Sequence, residues 1–212
     1  RATQQTRSSG SSLKPFTAYG PLFEYFGNQY STATTMSTAP YQYPGSNAVM
    51  YNWGRLSYGN QTLQESLRLS LNTPVGRIDD GILGSSRMKT FLHGLGLDVK
   101  DSYSSVDGIG LNVSTLQAAS AYAALINGGM YTQPRFVDEI TFIDKSVKKI
   151  EPKRNRAMKE STAFVLTQML RGIPQPSSTA PLATIPSYQG YGGKTGTVAF
   201  DASVNAPAPY GA

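Results

Sequence analysis

The sequence predicts an α+β domain in which helices dominate. Apolar residues recur at helical spacing in several segments, two of them opened by capping-box patterns at Thr62 to Glu65 and Ser114 to Gln117. One stretch, Arg135 to Glu151, is instead rich in β-branched residues around a turn, and a glycine-rich strand pattern follows at Tyr188 to Phe200. At 212 residues the chain is long enough to bury a sizeable core as one domain.

The first helix starts near Ser11. Pro15 suits a first helical turn, where its missing N–H costs nothing, and Leu13, Phe16, Tyr19, Leu22, Phe23 and Phe26 then form an apolar stripe. Pro40 to Gly59 is rich in Tyr, Pro, Gly and Asn and reads as a long loop with the single tryptophan, Trp53, as its anchor. From Thr62 a helix buries Leu63, Leu67 and Leu69 and runs to Ser70-Leu71-Asn72 before Pro74 interrupts it. Short helices are expected at Arg77 to Ile82 and at Ser86 to His93, the latter stopped by Gly94 and Gly96, with Lys89 in mid-helix. Ser114 opens an alanine-rich helix that ends before Gly128-Gly129. The stretch 135–151 is a hairpin turning at Asp144-Lys145. Ala157 to Arg171 returns to helical period, and Ile173 to Pro186 is a Pro/Ser/Thr loop before the strand pattern.

Composition excludes several classes of function. Charged residues make up 15% and the net charge is +6, without a long basic run, so no nucleic-acid footprint is present. With no cysteine there is no disulfide, thiol nucleophile or cysteine metal site, and the lone histidine, His93, belongs to a helix end. No metal or cofactor is called for. No run of about 18 apolar residues offers a membrane span. The chain begins at Arg1 rather than Met, as a fragment would.

Ser-x-x-Lys occurs three times, at Ser11 to Lys14, Ser86 to Lys89 and Ser146 to Lys149. Only the first stands at the start of a buried helix, where free N–H groups and the positive end of the dipole favour an oxyanion. Three residues apart, Ser11 and Lys14 share a helix face, so a neutral Lys14 is within reach of the Ser11 hydroxyl as its base. A lysine at its ordinary pKa of about 10.4 is the wrong base; bringing it to about 7 takes roughly 4 kcal/mol. Desolvation with a second nearby cation supplies that. Lys194-Thr195-Gly196-Thr197 offers such a cation: on a strand the two threonines share a face, Gly196 admits close backbone approach, and a ligand carboxylate fits across them.

Ser-x-x-Lys, then Ser70-Leu71-Asn72, then Lys194-Thr195-Gly196 is the order of motifs seen in penicillin-binding proteins and serine β-lactamases. Gly10-Ser11-Ser12-Leu13-Lys14-Pro15, Tyr51-Asn52-Trp53, Tyr58-Gly59-Asn60-Gln61-Thr62-Leu63, Ala121-Tyr122-Ala123-Ala124, Arg156-Ala157-Met158 and Gly193-Lys194-Thr195-Gly196-Thr197 narrow the resemblance to the transpeptidase domain of class A, bifunctional penicillin-binding proteins. The resemblance covers residues 1–200, with 201–212 a tail leading to strands beyond the chain. It implies the serine penicillin-recognising transpeptidase fold and a peptidoglycan D,D-transpeptidase. Ser11 would attack the D-Ala-D-Ala carbonyl, Lys14 would take the proton, Ser70 would relay it, and Asn72 would hold the substrate amide. Lys194 would supply the second cation. Thr195, Gly196 and Thr197 would receive the terminal carboxylate, and the N–H groups of Ser11 and Thr197 would form the oxyanion hole. The implied partners are stem peptides, β-lactams and the cell-wall synthesis machinery. A membrane anchor and a glycosyltransferase domain are expected N-terminal to the chain, placing the protein outside the cytoplasm.

The chain departs from the family at Val198, where a hydroxyl residue is usual, and in the loop Ile173 to Pro186, which lacks Gly-Thr-Gly. The strands that flank the serine helix and the Lys-Thr-Gly strand in the family's central sheet are missing, so the isolated span is expected to acylate slowly. A serine β-lactamase shares the chemistry, but its Glu-x-x-Leu-Asn does not occur here. A non-catalytic β-lactam sensor or wall-binding module is the other alternative.

Overall fold

A computed structural model describes residues 2–100, 102–183, 185 and 190–198. Ten short strands and six α-helices follow one another as β1 (Arg7–Ser8), α1 (Gly20–Phe26), β2 (Thr35–Ser37), β3 (Tyr41–Gln42), β4 (Val49–Met50), β5 (Asn60–Thr62), α2 (Leu63–Arg68), α3 (Thr73–Ile78), α4 (Gly84–Gly94), β6 (Asn112–Val113), α5 (Thr115–Ile126), β7 (Met130–Thr132), β8 (Glu139–Thr141), β9 (Val147–Lys149), β10 (Arg154–Arg156) and α6 (Glu160–Arg171). Among the described residues every ladder is antiparallel and two-stranded: β1 with β6, β2 with β5, β3 with β4, β7 with β10 and β8 with β9.

The core is helical. The segment from Gly10 to Phe26 runs through it, with Phe16, Ala18, Tyr19 and Leu22 fully buried, and α1 packs against α4 and α6. Leu63 and Leu67 of α2, Val75 and Ile78 of α3, Met88 and Leu92 of α4, Ala121 and Ala124 of α5, and Leu166 and Met169 of α6 close around it. A Leu or Phe so enclosed contributes about 1.5–3 kcal/mol each, so this one segment is the part of the chain that the rest is packed to cover.

The central segment is not one regular helix. A 3-10 turn, Gly10–Leu13, passes into a π-helical turn, Pro15–Tyr19, and then into α1. Pro15 has no N–H to donate back, and the wide turn that follows closes with Gly20 N donating to Pro15 O. Thr17 Oγ1, wholly buried there, donates to Leu13 O at 3.1 Å and Gly108 O at 2.6 Å.

Local sequence signals are realised unevenly. At Ser114 both capping-box bonds form, Gln117 N to Ser114 Oγ at 3.2 Å and Ser114 N to Gln117 Oε1 at 2.9 Å. At Thr62 only half forms: its hydroxyl accepts from Glu65 N at 3.1 Å, while the Glu65 carboxylate pairs with Arg68. Leu69 is half-buried rather than buried. Pro74 does not merely interrupt; it lies in the first turn of α3, which starts before the expected Arg77. The hairpin at 135–151 forms with its turn at Lys145, φ +66°.

Three expectations are corrected. The loop Pro40 to Gly59 holds a small hairpin, Tyr41 and Gln42 pairing with Met50 and Val49. Trp53 does not anchor it: the indole is 87% exposed beside Gly54 and Arg55, which take left-handed φ of +66° and +58°, and the neighbouring Asn52 is the residue that is buried. The strand expected at Tyr188 to Phe200 forms no ladder within the described residues 190–198; its ends, and the tail 201–212, lie outside the described residues. Glycine-rich alternation allows an extended chain but cannot supply a neighbour to pair with.

Candidate active site

The 3-10 turn presents Ser11 half-buried and Lys14 fully buried, with Lys14 N bonded to Ser11 O. Ser11 Oγ has no hydrogen-bond partner among the described residues. The expected Lys14 to Ser11 side-chain contact is not made. Lys14 Nζ turns instead to the connection between α2 and α3, donating to Ser70 O at 2.7 Å, Leu71 O at 3.1 Å and Asn72 Oδ1 at 2.6 Å, with Ser70 Oγ at 3.5 Å. An ammonium carries three hydrogens and no acceptor, and these acceptors are the ones a buried cation seeks. Burial, and after it the charge of Lys194, nevertheless pushes the Lys14 ammonium well below the ordinary lysine range.

Ser70 is the meeting point. Its φ of +57° is unusual for a serine and costs on the order of 1–3 kcal/mol. Its carbonyl faces Lys14, and its hydroxyl accepts from Lys194 Nζ at 2.7 Å. Asn72 splits its amide: Oδ1 accepts from Lys14, and Nδ2 donates to Tyr51 O at 2.9 Å. Lys194 also donates to Thr195 O at 3.1 Å, and burial lowers its pKa to about 8.

The Lys194 to Thr197 segment is held by backbone packing. A Cβ on Gly10, at φ +51°, would stand 2.4 Å from Thr197 O and 3.0 Å from Thr197 N; one on Gly196 would stand 2.6 Å from Ser9 O. The two chains therefore lie closer than side chains permit. Among the described residues neither Ser11 N nor Thr197 N has an acceptor in the turn and loop backbone bonds, and Thr197 N lies against Gly10, the residue before Ser11. Thr195 Oγ1 donates to Thr179 Oγ1 at 2.9 Å. Gly10→Ala is expected to push Thr197 away and slow acylation of Ser11 on the order of a hundredfold, since about 1 Å of misplacement suffices for that. Gly45→Ala, at φ +69° but with open space around its Cβ position, controls for backbone strain and should react as the parent does in the same fluorescent-penicillin assay.

The structure thus brings Lys14, Ser70, Asn72 and Lys194 into one hydrogen-bonded group, with Ser11, Gly196 and Thr197 joined to it through backbone contact. Sequence reasoning missed several supports. Tyr122 donates to Ser12 O at 2.5 Å while its ring meets Phe16 edge-on at 5.0 Å. Thr179, on the loop where Gly-Thr-Gly is lacking, reaches Thr195. Asn52 lies under the Ser70 connection. Asn52 and Tyr122 stand in two of the stretches that carry the family resemblance, which was their only signal, and Thr179 had none.

Residues 1–203 match the family described as penicillin binding protein transpeptidase domain. Among curated relatives, penicillin-binding protein 1A of Streptococcus pneumoniae is 39% identical over 208 residues, which is 93% of this chain and 28% of that protein. The chain spans less than a third of the curated relatives of this kind that it matches. Of solved structures, the D,D-transpeptidase domain of a peptidoglycan glycosyltransferase from Eggerthella lenta superposes with a TM-score of 0.78 at 22% identity, covering 95% of this chain and 56% of that one. The ceftriaxone acyl-enzyme complex of penicillin-binding protein A from M. tuberculosis does so with a TM-score of 0.79 at 20% identity, covering 95% and 50%. These likenesses establish the α+β fold of the penicillin-recognising proteins. The chain belongs to the penicillin-binding protein transpeptidase domain family.

Proposed function

We propose that this domain is a serine D,D-transpeptidase that cross-links peptidoglycan stem peptides through an acyl-Ser11 intermediate, and that β-lactams acylate the same serine. The observation that carries the reading is the convergence of both lysines on Ser70, Lys194 Nζ at 2.7 Å from its hydroxyl and Lys14 Nζ at 2.7 Å from its carbonyl. Ser11 Oγ attacks the carbonyl of the penultimate D-Ala. Its proton passes to neutral Lys14, the C–N bond to the terminal D-Ala breaks, and the proton reaches the leaving amine through Ser70. Burial first, and after it the charge of Lys194, favours the neutral form of Lys14. Asn72 orients the donor peptide, and Thr195 and Thr197 receive the terminal carboxylate, with Gly196 admitting the substrate chain. The N–H groups of Ser11 and Thr197 hold the oxyanion, each such donor being worth about 3–4 kcal/mol in acyl transfer. An amine from a neighbouring stem peptide then takes the acyl group and frees Ser11.

The relatives named penicillin-binding protein 1A are more than three times as long as this chain, which supports a class A, bifunctional parent. In that parent a membrane anchor and a glycosyltransferase domain precede the chain, which works outside the cytoplasm beside other cell-wall synthesis proteins. The test is covalent labelling of the full-length protein with fluorescent penicillin, followed by the rate of label release and by turnover of a D-Ala-D-Ala stem peptide with an amine acceptor. The expected result is a stable label on Ser11 and peptide transfer. Fast release would make the protein a β-lactamase, and a stable label without transfer would make it a sensor or wall-binding module.

A further inference from the structure

We propose that Asn52 is a positioning residue of the acyl-transfer site, acting through the Ser70 to Thr73 connection to set where the acceptors of Lys14 stand. This rests on the transpeptidase reading above. The Asn52 side chain is buried and uses its whole hydrogen-bonding capacity. Oδ1 accepts from Asn72 N at 2.8 Å, Thr73 N at 3.1 Å and Thr73 Oγ1 at 3.2 Å. Nδ2 donates to Thr38 O at 2.9 Å and Leu56 O at 3.1 Å.

The amides that Asn52 receives are those at the start of α3, which no helical carbonyl satisfies. An ordinary cap would come from the residue just before the helix; here Asn72 occupies that place, but its side chain is turned to Lys14 and Tyr51. Asn52 therefore does the capping from a distance, which releases Asn72 for the site. It also holds the far end of a connection whose near end, Ser70, sits at φ +57°. Without that hold the strained serine can relax, and the carbonyls of Ser70 and Leu71 move off Lys14. On its other side Asn52 is tied to two separate loop carbonyls, so the connection is fixed to the hairpin layer and not only to α2.

The experiment uses full-length protein and the second-order rate of acylation by fluorescent penicillin across pH, with the thermal midpoint measured in parallel. Asn52→Ala is expected to acylate about 10- to 100-fold more slowly than the parent under conditions where it remains folded. Asn52→Asp keeps the size and the acceptor, gives up the donors to Thr38 O and Leu56 O, and sets a negative charge one hydrogen bond from Asn72, the partner of Lys14; it should raise the pKa of Lys14 and move the acid limb of the profile to higher pH by about one unit. Among the described residues Lys194 is the titratable group whose charge already acts on Lys14, and it is unchanged in both variants. A purely structural asparagine would alter the thermal midpoint and leave the acylation rate of folded Asn52→Ala at the parental value. Hydrogen exchange in the parent protein supplies a measurement that needs no variant, since the amides of Asn72 and Thr73 should be protected. Acylation of folded Asn52→Ala at the parental rate, an unmoved limb in folded Asn52→Asp, or rapid exchange of those amides would each overturn the proposal. Failure of the parent to acylate at all would instead sink the transpeptidase reading.

Discussion

Ser11→Ala is expected to abolish covalent labelling by penicillin, whereas Ser86→Ala and Ser146→Ala should leave it at the parental level. The three serines share the same spacing to a lysine, and only their surroundings separate them. Ser146 sits in the exposed turn of the β8–β9 hairpin, its hydroxyl given to Asp144 Oδ1 at 2.6 Å. Ser86 is exposed on the first turn of α4, and the lysine three residues on, Lys89, is only half-buried where Lys14 is fully buried. Among the described residues the Ser11 hydroxyl has no hydrogen-bond partner, and the lysine three residues on, Lys14, is fully buried with its pKa depressed by burial and then by Lys194. Removing its oxygen leaves no atom to form the ester, so the loss is complete rather than graded. Mass spectrometry of the labelled, digested protein checks it; an acyl group on a peptide lacking Ser11 would overturn the assignment.

Lys194→Ala is expected to lower acylation at neutral pH on the order of 10²–10³-fold, the range for removing one electrostatic element of an acyl-transfer site. It should also reshape the pH profile. Lys14 works as a base only when neutral, so the rate rises with pH through the pKa of Lys14. Lys194 works as a cation, so the rate falls above its own pKa of about 8. Deleting Lys194 removes a charge that lowers the pKa of Lys14; that pKa rises, the acid limb moves to higher pH, and the basic limb near 8 disappears. Lys194→Arg keeps the charge and should keep the acid limb while still losing the fall above 8. An unchanged profile in Lys194→Ala would remove Lys194 from this role.

Which motif residues meet was more legible than the architecture. Motif order and spacing singled out Lys14, Ser70, Asn72 and Lys194, which the structure draws into one hydrogen-bonded group, and the helix at Ser114 was legible because a capping box is satisfied within four residues. Trp53 was misplaced because a loop has no periodicity to tell inside from outside; two left-handed residues follow it, and only one is glycine. Helical spacing brought Lys14 to the right region but aimed it at Ser11, whereas a long buried amine goes to the best acceptors, which lay on a connection 56 to 58 residues away. Within residues 190–198, the described part of the expected strand, no ladder forms for a related reason: alternation predicts faces, while a ladder needs a neighbour.

The contact of Gly10 with Thr197 carries an implication for how the molecule is made. Lys194 meets Ser70 across 124 residues, and Tyr122 meets Ser12 across 110. Loop closure over such lengths costs entropy before any contact repays it, and chains dominated by distant pairings fold slowly. On the ribosome Ser11 emerges first and Thr197 near the end of this span. The hydroxyl thus exists long before Thr197 can contribute its N–H to the proposed oxyanion hole, so a half-made chain should be chemically mute. Competence toward penicillin should arrive abruptly, with the last segment to dock, and would serve as a clock for completion of the fold.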